Sequence, residues 1–213
     1  QVESPRFSLQ YGERMASADA FTLTVKGKAA HGSAPHLGSD AIVAAAAIIM
    51  NLQSLCSRAN DPLNALVVTI GTFDGGQRFN IIADKVSMDG TVRTFSRKFR
   101  NSVGERIRSI AEQTAACYGC TAELQYNQLC NAIINDSTEL VDTARNAATK
   151  LFGGDILFDL EKLTGSEDFA YLMEKVPGFS ELSNHHECFT VDEDALHHGA
   201  AISAQFAYDF LNR

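Results

Sequence analysis

The chain has 213 residues, 45% hydrophobic and 21% charged, a balance that supports a sizeable core without disulfides or metals to hold it. Its 18 Lys and Arg face 26 Asp and Glu, a formal charge of -8 that argues against nucleic acid or an anionic membrane as main partner, since phosphate binding needs clustered positive charge. Five cysteines, an odd number at irregular spacing, read as a reducing compartment rather than a disulfide framework.

The segment from Gln1 to Arg14 is polar and carries Pro5 and several charges, so no signal peptide is read there. Phe21 to Lys26 alternates apolar and polar residues, the pattern of a strand with one buried face. Ser39 and Asp40 offer an N-cap to a helix over Ala41 to Leu55, which is apolar on nearly all sides and is expected to be largely covered. The apolar run Ala41 to Met50 is too short to span a bilayer, and the protein is expected to be soluble and cytoplasmic. Leu66 to Ile70 reads as a short strand ended by the turn residues Asp74, Gly75 and Gly76. Val86, Met88, Gly90 and Val92 alternate with polar neighbours as another strand. Val103, Ile107, Ile110, Thr114 and Cys117 share one helical stripe, and Ala122, Leu124 and Tyr126 alternate again.

That order, strand-helix-strand-strand-helix-strand, predicts a ferredoxin-like βαββαβ sandwich over residues 17–131. From about Ala132 to Arg213 the pattern changes. Thr138 to Phe152 reads as a helix stopped by Gly153 and Gly154, followed by a short strand over Ile156 to Leu160. A polar loop over Thr164 to Asp168 leads into a helix from about Phe169; Phe179 to Ser183 suggests a strand, and Ala195 to Leu211 a closing helix. Such alternation implies the C-terminal part of an α/β domain, incomplete by itself, with residues 1–16 ending an earlier segment of it.

Cys117 and Cys120 have the spacing of a redox or zinc motif but lack a second pair, and small buried apolar positions at a helix end suit both. Six histidines fall into two groups, His31 with His36, and His185 and His186 with His197 and His198; the last two are expected to be exposed on a helix. His185-His186-Glu187 is a metal candidate on composition, although adjacent strand residues point to opposite faces. Glu167 and Asp168 suit either a helix N-terminus or a substrate or metal loop. Arg93 offers a fork for a substrate carboxylate, and Asn80 a directed hydrogen bond.

Six stretches carry a family resemblance: Met15 to Phe21, Val25 to Asp40, Asn80 to Asp84, Gly90 to Phe95, Gly165 to Phe169 and Phe189 to Leu196. In order and spacing they resemble the aminoacylase/carboxypeptidase-type amidohydrolases, including hippurate hydrolases and indoleacetyl-amino-acid hydrolases. The resemblance implies a lid domain used for dimerisation, inserted into a catalytic domain with two divalent metal ions, zinc or manganese. The ions activate a water that attacks the amide carbonyl, with a glutamate as general base. His31 corresponds to the lid histidine that reaches the partner subunit's active site to stabilise the oxyanion, and Asn80 and Arg93 to residues holding the substrate carboxylate. His185 corresponds to the last metal ligand, with His186 the alternative; Glu167 and Asp168 match a loop beside the site. The segment with the remaining ligands and the base does not occur here, so the chain alone is expected to be inactive. The implied substrates are N-acyl amino acids or small peptides. The alternatives are a non-catalytic dimerisation or ligand-binding module of the same descent and an amino-acid-sensing regulatory domain.

Overall fold

The computed structural model describes residues 6–173, 175 and 193–212. In chain order these form β1 (Gly12–Met15), β2 (Ala18–Lys26), α1 (Ala41–Ser54), β3 (Leu66–Gly75), β4 (Lys85–Thr94), α2 (Arg97–Cys117) and β5 (Thr121–Cys130). There follow β6 (Ile133–Asn135), α3 (Thr138–Phe152), α4 (Ala170–Met173) and α5 (Glu193–Leu211). The chain divides into two compact units, Ser17–Asn131 and Gln1–Ala16 with Ala132–Arg213.

In the first unit the strand order is β3-β4-β2-β5 with every neighbouring pair antiparallel. The inward residues of β2 (Phe21, Leu23, Val25) and β4 (Val86, Met88, Val92) share one core with Ala44 and Ile48 of α1 and Val103 and Ile107 of α2. This is the ferredoxin-like sandwich. Gly90 sits opposite Phe21, and a Cβ there would lie 2.2 Å from the ring and 2.6 Å from the Thr69 carbonyl oxygen. The ring fills the space that any larger residue at 90 would need. Asp40 caps α1 by accepting from the Ile42 and Val43 amides, and Ser96 caps α2 through the Phe99 amide. Gly119, at φ +68, ends α2; its amide bonds to Ala116 and that of Cys120 to Ala115, which closes the last turn.

Two expectations change here. Helix α1 is not covered on all sides: Ala41, Ala44, Ala45, Ile48 and Leu52 are buried, whereas Ile42, Val43 and Met50 are exposed. A helix on one face of a single sheet has a solvent side, whatever its composition. The helix also runs on through a π turn, Leu55–Ala59, so the continuous stretch Ala41–Ala59 has the length and apolarity of a membrane span. Core helices meet that measure too, and here one face of the stretch is packed on the sheet.

One polar cluster lies inside this unit. Asp19 is fully buried, and Arg100 donates to its Oδ1 through Nε (2.8 Å) and Nη2 (2.5 Å). Tyr126 Oη donates to Asp19 Oδ2 at 2.6 Å, and Arg100 Nη1 also bonds to Asn131 Oδ1. Burial, then the hydrogen bond to Asp19, raises the Tyr126 phenol well above its ordinary value of 10.0.

The second unit has a two-stranded antiparallel sheet, β1 with β6. Its described residues form two small apolar clusters: Leu9, Ala144, Ala148, Ile156 and Ile202 in one, and Met15, Ile133 and Ala170 in the other. Helix α3 keeps its expected span, with Ser137 capping it and Gly153 (φ +86) ending it. No strand forms over Ile156 to Leu160: the segment begins in a 3-10 turn and makes a single parallel bridge, Phe7 with Leu157. The short strands β1 and β6 have too few residues to display a period. The strand expected over Phe179 to Ser183 lies outside the described residues.

Candidate functional site

Beyond the Lys26–Lys85 end of the β2–β4 pair, the two segments stay antiparallel without forming a regular ladder. Gly27 N–H donates to Asp84 O (2.8 Å), Ile82 N–H to Ala30 O (2.9 Å) and Gly32 N–H to Asn80 O (2.8 Å), and His31 bridges Ile81. Each segment folds back through a tight turn: Ala34 N–H donates to His31 O at 2.8 Å, and Ile81 N–H to Arg78 O at 3.2 Å. Gly32 eases the close approach, because a Cβ there would lie 3.1 Å from Asn80 O, tighter than an ordinary contact.

The two turns bring His31 and Asn80 side by side and leave both side chains exposed. His31 Nδ1 lies 2.7 Å from Ser33 Oγ and accepts from the Ser33 amide at 3.2 Å. Phe79, a central residue of the second turn, is 104% exposed, and Leu37 and Ile81 expose apolar surface nearby in the chain. Phe79 and the bonds from Ser33 were not foreseen from the sequence. The only signal for either was its place beside His31 or Asn80.

Arg93 lies elsewhere. It is eight residues along β4 from Lys85, roughly 26 Å at about 3.3 Å per residue, so the His31–Asn80 pair and Arg93 occupy opposite ends of one sheet. Its Nη1 donates to Val92 O at 3.2 Å and to Thr91 Oγ1, and among the described residues no carboxylate pairs with it. It is half-buried and available to an anion.

Glu167 and Asp168 belong to the other unit. Glu167 accepts from the Asp168 amide at 3.0 Å, a local bond at the start of the single-turn helix α4. His185 and His186 lie outside the described residues. Among the described residues no three His, Cys, Asp or Glu side chains group as metal ligands, so these residues do not themselves compose a metal centre. Cys120 is buried, and burial raises its thiol, but Cys117 is exposed, not buried as the sequence suggested. Cys117 ends α2 on its outer side, whereas Cys120 follows the Gly119 turn and faces inward just before β5. His197 is exposed, but His198 is half-buried, its ring 4.5 Å from that of Phe152.

Comparison with known proteins fits this picture. Residues 16–118 match the peptidase dimerisation domain of the M20 family. The N-acetylcysteine deacetylase of Bacillus subtilis (strain 168) is 40% identical over 192 residues, 87% of this chain and 50% of that protein. The IAA-amino acid hydrolase ILR1-like 2 of Arabidopsis thaliana is 30% identical over 215 residues, 94% of this chain and 48% of that protein. Among solved structures, the YXEP protein of Bacillus subtilis, described as a dinuclear metal-binding peptidase of the M20 family, superposes with a TM-score of 0.79. It is 34% identical, and the match covers 97% of this chain and 53% of that one. The chain thus carries an M20 peptidase dimerisation domain and is homologous to deacetylases and amidohydrolases. It spans about half the length of the curated relatives it matches.

Proposed function

We propose that the protein carrying this chain is a metal-dependent amidohydrolase of N-acyl amino acids or small peptides. This chain supplies the lid, and two copies of it complete each site. The observation that carries the reading is the separation of His31 and Asn80 from Arg93 along one sheet. A small substrate cannot touch both ends of a strand roughly 26 Å long, but it can touch the two ends when they come from different subunits. His31 then donates to the developing oxyanion, Asn80 orients the substrate, and Arg93 of the other lid holds its carboxylate. Phe79 and Leu37 offer apolar surface to the acyl group.

The dimer is proposed to form through the open edge of β3 and the exposed side of α1. A groove between these elements is lined by Ile49, Leu52, Gln53, Val68, Ile70 and Phe73. An unpaired edge beside apolar helix surface is ready to pair with a second copy. The proposal includes two divalent ions, manganese or zinc, with His185 as the ligand from this chain. Glu167 and Asp168 line the substrate loop. The enzyme is assigned to the cytoplasm.

Complementation of inactive variants tests the reading in the full-length enzyme. H31A and R93A should each lose about 100-fold or more in kcat/KM. Mixed and allowed to exchange subunits, they should recover about a quarter of wild-type activity, because half of the dimers then hold one intact site. Two dead variants that stay dead on mixing, in demonstrated heterodimers, would refute the shared site.

A further inference from the structure

We infer that Ser33 is a positioning residue that locks the neutral His31 imidazole as its Nε2–H tautomer, with the N–H turned outward as a donor. The inference rests on the reading of His31 as an oxyanion donor. Two groups converge on Nδ1, the Ser33 amide at 3.2 Å and the Ser33 hydroxyl at 2.7 Å. The hydroxyl can donate or accept, but a backbone N–H can only donate. A proton on Nδ1 would face the amide proton, so Nδ1 must be the acceptor. The Ser33 hydroxyl adds a second donor to the same lone pair. The ring proton of the neutral imidazole therefore resides on Nε2, the atom farthest from the turn.

The turn fixes the ring as well as the proton. His31 O accepts from the Ala34 amide, so residues 31–34 are closed on themselves, and Gly32 anchors the turn to Asn80 O. The segment is solvent-exposed, so packing does not hold the ring, and the two bonds from Ser33 take that part. A donor aimed before charge develops avoids the cost of reorienting during the reaction, which is where electrostatic catalysis gains most. Ser33 acts through His31 and makes no contact with substrate in this assignment.

Imidazole nitrogen NMR on the labelled 213-residue chain, above the pH at which histidines protonate, reads the tautomer directly; H31Q assigns the resonance. The exposed His36 of the same chain is the internal reference for an unrestrained ring. The expected result is His31 Nδ1 at the frequency of an unprotonated, hydrogen-bonded nitrogen, distinct from His36. S33A should move it toward His36, while S33T, which keeps both donors, should hold it in place. A wild-type His31 protonated on Nδ1, or one indistinguishable from His36, overturns the inference, as does an S33A resonance that does not move. In the full-length enzyme, S33A should lower kcat about 10-fold with KM little changed, and S33T should restore it. A locked ring in an enzyme that hydrolyses no N-acyl amino acid overturns the functional reading, whereas an unlocked ring in an active enzyme overturns this inference alone.

Discussion

Asp19 sits at 0% exposure with two side chains, Arg100 and Tyr126, bonded to its carboxylate, and its energetics differ from those of the surface pairs. Lys26–Glu123 and Arg108–Glu105 are solvent-exposed pairs, each worth at most about 1 kcal/mol and screened by salt. Removing Arg100 leaves a buried carboxylate with one neutral partner, so R100A should cost about 3–5 kcal/mol in urea unfolding. R100M/D19L, which removes both charges, should cost clearly less. Equal losses in the two would mean that packing rather than charge sets the effect. Tyr126 adds a pH dependence with a definite sign. Its phenol is raised in the folded state, so its contribution is complete below the unfolded value of 10.0 and fades as pH rises above it. Stability should therefore decline more steeply above about pH 10 in the wild type than in Y126F, as read by denaturant midpoints. None of this cluster was legible in the sequence. Asp19 and Arg100 are 81 positions apart, and a charged residue at a strand start or in the first turn of a helix ordinarily faces water.

Elements were more legible than single residues wherever a period had room to repeat. The alternation in β2 and β4 formed as read, and the inward stripe of α2 did so from Val103 to Thr114, with Cys117 at its end turned outward. Four-residue β1 and three-residue β6 hold too little pattern, and the single bridge at Leu157 was mistaken for a strand because a short apolar run looks the same in either state. Gly90 lies in a strand whose pattern alone calls for a larger inward residue. Its reason appears only in register, where the Phe21 ring occupies the missing side chain's place. G90A should destabilise the lid by about 1–3 kcal/mol through overpacking, measured by chemical unfolding. F21L should recover part of that loss and not all of it, because the Thr69 carbonyl oxygen presents a second, backbone obstacle at 2.6 Å. A G90A protein as stable as wild type would mean that the sheet opens there at no cost.

At the scale of the whole molecule, the two units differ in how well each could stand alone. Residues 17–131 hold one continuous core drawn from four strands and two helices. Their ends are also close together, since Ala18 pairs with Cys130 and Arg100 bonds to both Ala18 O and Asn131 Oδ1. A segment that leaves and returns at one place can be excised without breaking its sheet. Among the described residues, the remaining unit divides its apolar side chains between two small clusters and exposes Leu172 (62%), Leu196 (60%) and Tyr208 (64%). We therefore expect a polypeptide of residues 17–131 to fold alone with one cooperative unfolding transition and a dispersed amide spectrum. In sedimentation it should behave as a dimer that M50E and F73K, placed on the exposed side of α1 and on the β3 edge strand, convert to monomer without loss of fold. Residues 132–213 alone should instead bind a hydrophobic dye and unfold without a sharp transition. A cooperative 132–213 fragment would mean that a core forms there even without Leu9, Met15 and strand β1. A monomeric 17–131 domain that folds normally would move the dimer contact away from α1 and β3, and with it the arrangement that sets His31 of one lid against Arg93 of the other.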